Sequence, residues 1–334
     1  MARKRNQKDS WIPPYVNRGK SAWEYRPKGG KTVRLCGLDA SQALVLRRYA
    51  EEFERVNTRS GTLKALVEQF MASRQFKKLA PETQKDYRKY WSKIEAVFGH
   101  VDARKITTPH IRKYMDLKGK SSETQANRHL AFLSKVFTWG KQWSNIEENP
   151  CHGITRFEEI ARDRYITDEE YDLVYQYAGD TVRAAMEISY LCGARQGDVL
   201  KLTKADLWQD GIYIKQGKTG VKQVKEWTPR LRKATSMVKP HKRKDGSVIE
   251  SIYVIPTRDG SAYTSSGFRA TWRKVLIKAR EQSGLPLDFT FHDIKAKGVS
   301  DFEGNKKEFS GHKTERQVDV YDRKIKVVPT IKKD

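Results

Sequence analysis

The sequence predicts a multidomain α+β chain: a small N-terminal β-sheet, an all-helical middle and a mixed, mainly helical C-terminal region. Three observations predict it. Short β-like runs separated by basic turns fill residues 1–35, apolar residues at helical spacing recur through 61–145, and beyond Asn149-Pro150 strand-like and helix-like patterns mix. The 334 residues are too many for one small core. At roughly 100–200 residues per domain they divide into two or three. The boundaries read as 1–57 for the first domain, 58–147 for the second, 148–162 for a linker and 163–334 for the third.

In the first region Tyr15-Val16, Ala22 to Arg26 and Thr32 to Leu35 are the strand-like runs, and Arg18-Gly19-Lys20 and Pro27 to Lys31 are the turns between them. Ten Lys or Arg residues face only Asp9 and Glu24 within residues 1–35. This predicts a three-stranded sheet with basic turns and exposed aromatics, of a size that fits a DNA groove. A disordered basic arm is the alternative. In the second region Leu63, Leu66, Val67, Phe70 and Met71 lie on one helical face, and Tyr87, Tyr90, Trp91, Ile94 and Phe98 repeat the stripe between Pro81 and Gly99. Thr108-Pro109 opens a third helix with Ile111 and Met115, and Leu130, Leu133 and Phe137 mark a fourth. These aromatic stripes read as core, with Arg88, Arg112, Arg128 and several lysines on the solvent side. In the third region Thr167-Asp168-Glu169-Glu170 is a capping box, a helix ends near Cys192-Gly193, and another starts around Gln196. Ile212 to Ile214 and Val224 to Trp227 flank Lys218-Thr219-Gly220 as a hairpin, helices resume from Ser266, and Ile325 to Pro329 reads as a short terminal strand.

Composition narrows the partners. Lys and Arg total 66 against 41 acids, a formal charge of +25. An excess of this size favours polyanions, with nucleic acid first. The three cysteines, Cys36, Cys151 and Cys192, show no Cys-x-x-Cys spacing, which argues against a disulfide framework or a zinc site and fits a reducing cytoplasm. The basic N-terminus precedes no apolar run and no stretch has membrane-spanning length, so no membrane role is expected.

Five polar clusters in the third region could carry chemistry: Gly193 to Asp198, Lys218, His292 to Lys295, Ser310 to His312, and Val320-Tyr321. There is no His-Glu-x-x-His, no phosphate-binding Gly-x-x-x-x-Gly-Lys loop, no Gly-x-Ser-x-Gly elbow and no carboxylate pair for two-metal chemistry. What remains is cations, neutral imidazoles and a phenol. Attack on a phosphodiester builds charge on the non-bridging oxygens, which fixed donors must meet. Arginine offers a permanently charged fork for two such oxygens. A phenol stabilised by nearby cations is a covalent nucleophile. A lysine among cations can protonate a departing oxygen.

At these residues the chain resembles the tyrosine recombinase family, and within it phage integrases of the lambda type. The first block of that family, an Arg followed three residues later by an acid, stands here as Arg195 and Asp198 in GARQGDVLKL; its hairpin lysine matches Lys218 in QGKTGVKQV. His292-Asp293-Ile294-Lys295 occupies the His-x-x-Arg block, Gly311-His312 the Gly-His block, and Tyr321, nine residues beyond His312, the nucleophile position. Order and spacing of all five agree. The layout agrees as well: an arm-binding β domain, a helical core-binding domain and a catalytic domain of tyrosine recombinase type.

The resemblance implies that Tyr321 attacks a backbone phosphate, giving a 3′-phosphotyrosyl link and a free 5′-hydroxyl, with no cofactor, metal or ATP. Arg195, His292, Lys295 and His312 would hold the phosphoryl oxygens and Lys218 would protonate the leaving oxygen, while Asp198 would orient Arg195 and its helix. Where the family most often has a second Arg this chain has Lys295, which keeps the charge but loses the fork; Lys297 is nearby at a spacing that fits less well. Arg18, Trp23, Tyr25 and Arg26 in the sheet, with Arg88 and Arg128 on the helices, are candidates for DNA contact. Expected partners are double-stranded attachment sites, three further copies of the chain forming a tetramer on a Holliday junction, a host DNA-bending protein and an excisionase. Expected outcomes are phage integration and excision, in the cytoplasm of a bacterial host. The alternatives are a type IB topoisomerase, which reseals its own break, and a non-catalytic DNA-binding relic.

Overall fold

The structure, a computed structural model, describes residues 11–27, 31–243, 245–325 and 327–331, without the side chains of 54–60. The basic residues of the first ten positions and the turn at Lys28 to Gly30 lie outside the described residues. The chain forms two compact units, residues 1–160 and 161–334. In the first unit, β1 (Val16–Arg18), β2 (Ala22–Tyr25) and β3 (Val33–Gly37) pair antiparallel in chain order. Helix α1 (Gln42–Ser60) lies beyond them and supplies Val45 and Tyr49 to the sheet's core. The sheet is present and Tyr15 is exposed, but Trp23 and Tyr25 are not. Trp23 is 7% and Tyr25 3% exposed. Tyr49 packs edge-on against Tyr25 at 5.2 Å and Trp11 against Trp23 at 5.4 Å. Residues two apart on a strand share a face, and here that face is the packed one. Trp23 and Tyr25 therefore hold the sheet to its helix, whereas Arg18 and Arg26 remain exposed.

The helical part runs α2 (Leu63–Ala72), α3 (Arg74–Lys77), α4 (Pro81–Phe98), α5 (Thr108–Gly119) and α6 (Glu123–Trp143). The predicted stripes form its core: Leu63, Leu66, Val67 and Phe70 meet Trp91, Ile94, Phe98, Ile111, Leu130, Leu133 and Phe137. The segment after α6 is fastened down. Asn149 Nδ2 donates to Ser134 O at 3.1 Å and Thr138 Oγ1 at 3.0 Å, and Asn127 exchanges hydrogen bonds with Phe157 at 2.9 and 3.0 Å. Exposed Arg88 lies over the Phe76 ring, and exposed Arg128 is paired with Glu159 at 2.9 Å.

The second unit contains α7 (Asp168–Tyr177), α8 (Asp180–Cys192), α9 (Gln196–Val199), β4 (Gly211–Lys215), β5 (Lys222–Glu226), α10 (Pro229–Ser236), α11 (Ser265–Ser283), α12 (Phe291–Asp301), α13 (Lys306–Ser310) and α14 (Glu315–Asp319). The capping box at Thr167 and Glu170 is formed reciprocally. Strands β4 and β5 pair as a hairpin with Tyr213 opposite Val224. Helix α12 crosses α8 so closely that a Cβ on Gly298 would sit 2.2 Å from the Tyr190 carbonyl oxygen. This contact brings α12, which carries His292 and Lys295, against the end of α8 that leads into Arg195. The terminal strand is a correction: no strand forms among the described residues after α14, and Val327 is fully exposed at 100%. Ile325 to Pro329 has strand-like residues but pairs with no strand among the described residues, and an unpaired strand has no ladder to stabilise it.

Candidate active site

Five separate stretches of the second unit bring side chains to one cleft. Arg195, in the turn between α8 and α9, donates through Nη1 to Gln216 Oε1 at 2.7 Å. Gln216 is buried just before the hairpin tip, and its Nε2 donates to Ser310 O at 2.8 Å. One amide thus ties the Arg195 turn, the hairpin and the end of α13 together. Gly311 follows in the left-handed region at φ 64°, and a Cβ there would lie 2.3 Å from Gln216 Nε2. Only glycine lets the chain pass so close to the amide. Beyond it, His312 Nδ1 lies 2.8 Å from Ser310 Oγ and its Nε2 3.5 Å from Arg195 Nη2.

Tyr321 enters the same cleft. Its hydroxyl lies 3.2 Å from His292 Nε2, its ring stacks on His312 at 4.7 Å, and Lys295 Nζ stands 5.0 Å above that ring. The electrostatics follow from crowding of like charge. Burial, then Lys295, Arg195 and Lys218, push the His312 pKa down to about 4. Burial and Lys295 likewise hold His292 below the ordinary imidazole value. Both rings are therefore neutral at pH 7.

Five of the six expected catalytic residues, Arg195, His292, Lys295, His312 and Tyr321, come together through these contacts. Lys218 is exposed at the hairpin tip, where its charge reaches His312. Asp198 departs from its expected role. Its Oδ1 accepts from the Gly217 amide at 2.9 Å, so it anchors the hairpin, and Gln216 orients Arg195 instead. Lys297 belongs elsewhere, buried in ion pairs with Asp168 at 2.5 Å and Asp301 at 3.0 Å.

Three residues outside the sequence-derived set fix the Tyr321 segment. Ser300 Oγ donates to Tyr321 O at 2.9 Å and accepts from the Arg323 amide at 2.7 Å. Arg323 Nη1 meets Asp293 Oδ1 at 2.6 Å, with the Arg323 side chain 6% and Asp293 1% exposed. The adjacent Asp322 pairs with Lys306 at 2.7 Å. Breaking a buried pair strands a charge, at a cost of about 3–5 kcal/mol. Asp293 keeps Arg162 at 3.1 Å, so Arg323→Ala is expected to lower unfolding stability by about 2 kcal/mol, below the full cost of a stranded charge, read from urea titration, with Arg323→Lys recovering part. A loss under about 1 kcal/mol would place the pair with weak surface bridges.

Residues 164–300 match the phage integrase family model. The integrases of Enterobacteria phage 434 and Escherichia phage lambda are 26% and 25% identical to the chain, each alignment covering 96% of the chain and 96% of the relative. Among solved structures, a lambda integrase dimer bound to a COC′ core site has a TM-score of 0.65 at 20% identity, covering 99% of this chain and all of that one. A lambda integrase tetramer bound to a Holliday junction has a TM-score of 0.63 at 20% identity, covering 91% of this chain and 96% of that one.

Proposed function

The chain is a lambda-type tyrosine recombinase with a phage integrase domain, and from that premise we propose how its residues break and rejoin DNA. The observation that carries the proposal is the convergence of Arg195, His292, Lys295 and His312, distant in sequence, on the single phenol of Tyr321. Tyr321 Oη attacks the scissile phosphorus as His292, neutral and 3.2 Å away, accepts its proton. The P–O5′ bond breaks, a 3′-phosphotyrosyl ester forms, and Lys218 gives a proton to the departing 5′-oxygen. Arg195 and Lys295 meet the charge that develops on the non-bridging oxygens. His312, its Nδ1 beside Ser310 Oγ at 2.8 Å, turns its Nε2 edge toward Arg195 and the same oxygens. A 5′-hydroxyl from a partner strand reverses the step, and the ester conserves the bond energy, so no ATP is needed.

Residues 1–57 and 58–147 serve as arm-binding and core-binding domains, with Arg18, Arg26 and Arg88 against phosphates. Arg128 contributes there only by giving up Glu159. Four protomers act on two attachment sites through a Holliday junction, integrating a phage genome and excising it with a host DNA-bending protein and an excisionase. The test is to capture the protein on fragments of its source genome, sequence the junctions, and place two copies of the recovered site on one plasmid. Recombinant circles are expected. Relaxation of a plasmid lacking the site, without recombinants, would favour a topoisomerase, and binding without any strand breakage would favour a relic.

A further inference from the structure

Lys295 is 1% exposed, and its Nζ has no hydrogen-bond partner among the described residues. That is an unusual place for a lysine. Arg195 faces it from the turn after α8 and Lys225 from β5. The Tyr321 ring closes one side at 5.0 Å, and His292 and His312 both feel its charge. Among the described residues the acid facing it is Asp198, whose Oδ1 is engaged by the Gly217 amide and whose Oδ2 is buried without a hydrogen-bond partner. Arg195, a permanent cation, and Lys225, whose own pKa burial lowers, stand against one partly committed carboxylate and leave a buried ammonium short of counter-charge. Burial and the Arg195 charge accordingly bring the Lys295 pKa down to about 7. An arginine here would carry its charge regardless; a lysine need not.

We infer that above neutral pH Lys295 waits as a neutral amine and takes up a proton from solvent when a DNA phosphate enters the cleft, so that the substrate creates the cation that holds it. The inference rests on the reading of this cleft as the phosphate site. The balance is simple: amine, solvent proton and phosphodiester anion give an ammonium paired with the phosphate, and no bond in the DNA changes. A neutral amine also spares the free protein an unpaired buried charge. By linkage, phosphate capture in this cleft weakens by up to tenfold per pH unit above about 7, until the phosphate-bound pKa is passed.

The measurement is proton uptake by calorimetry at pH 8.5 in buffers of different ionisation enthalpy. It uses the full chain carrying Tyr321→Phe, which blocks cleavage, and a duplex bearing the crossover sequence recovered by junction sequencing. Two duplexes are compared, one natural and one with a neutral methylphosphonate at the scissile position. The natural duplex is expected to bring in about one more proton per protomer than the methylphosphonate duplex. Adding Lys295→Arg is expected to abolish that difference. Histidines with lowered pKa lie too far below pH 8.5 to supply it. Equal uptake on both duplexes, or a difference that survives Lys295→Arg, overturns the inference. The parent protein is first tested for a covalent adduct on the natural duplex; its absence removes the phosphate-site reading itself, and this inference with it.

Discussion

On a duplex nicked beside its cleavage site the parent protein accumulates as a covalent adduct, and Tyr321→Phe yields none. The nick lets the short leaving strand diffuse away, so the ester cannot be reversed and the adduct persists. Removing one oxygen leaves the ring, and with it the stacking on His312 at 4.7 Å and the cover over Lys295, so fold and DNA binding should be retained. Loss of a nucleophile lowers rate by factors of about 10⁴ or more in enzymes where the dissection has been made. Denaturing gel electrophoresis of the mixture, with DNA binding of the variant measured in parallel, makes the check. An adduct of undiminished yield in Tyr321→Phe would transfer the chemistry to another residue and dissolve the proposed mechanism.

Arg195→Ala comes second, with an expected fall of about 10²–10³-fold in the single-turnover cleavage rate, the usual loss when one fixed donor to a developing oxyanion is removed. Arg195→Lys should retain charge but lose the two-pronged geometry, and so fall between. The side chain is half-buried and held by Gln216 at 2.7 Å, which predicts a smaller defect for Gln216→Ala through misplacement of the same guanidinium. Rapid-quench kinetics at saturating protein separate these rates from binding. If Arg195→Ala cleaves within about threefold of the parent rate, preorganised charge at this position is not what stabilises the transition state.

The chemistry was legible in the sequence because it is written in short blocks. Arg195, His312 and Tyr321 each sit in a local pattern whose order and spacing point to one reaction, and a helix or hairpin end fixes each in place. The helical core was legible for a related reason, since its stripes repeat at the period of the helix. What escaped was pairing between distant positions. Asp293 with Arg323, Ser300 with the Tyr321 backbone, and Gln216 with Arg195 have no period, and a lone Ser, Gln or Asp in a sequence does not announce its partner. Trp23 and Tyr25 were misread for the same reason: their partners, Trp11 before the sheet and Val45 and Tyr49 on α1, are distant in sequence. The segment after Tyr321 shows the converse, a strand-like composition that pairs with no strand among the described residues.

Helix α12 bears two kinds of cargo. It carries His292 and Lys295, and through Asp293 and Ser300 it also grips the stretch that presents Tyr321. Any slide or rotation of that rod past α8 therefore shifts the attacking oxygen and its proton acceptor in the same direction, preserving their separation while changing their distance to Arg195. Drift during evolution, or a jolt from a neighbouring copy, is thus felt as a change in aim toward one arginine, with the nucleophile and its helper travelling as a single piece.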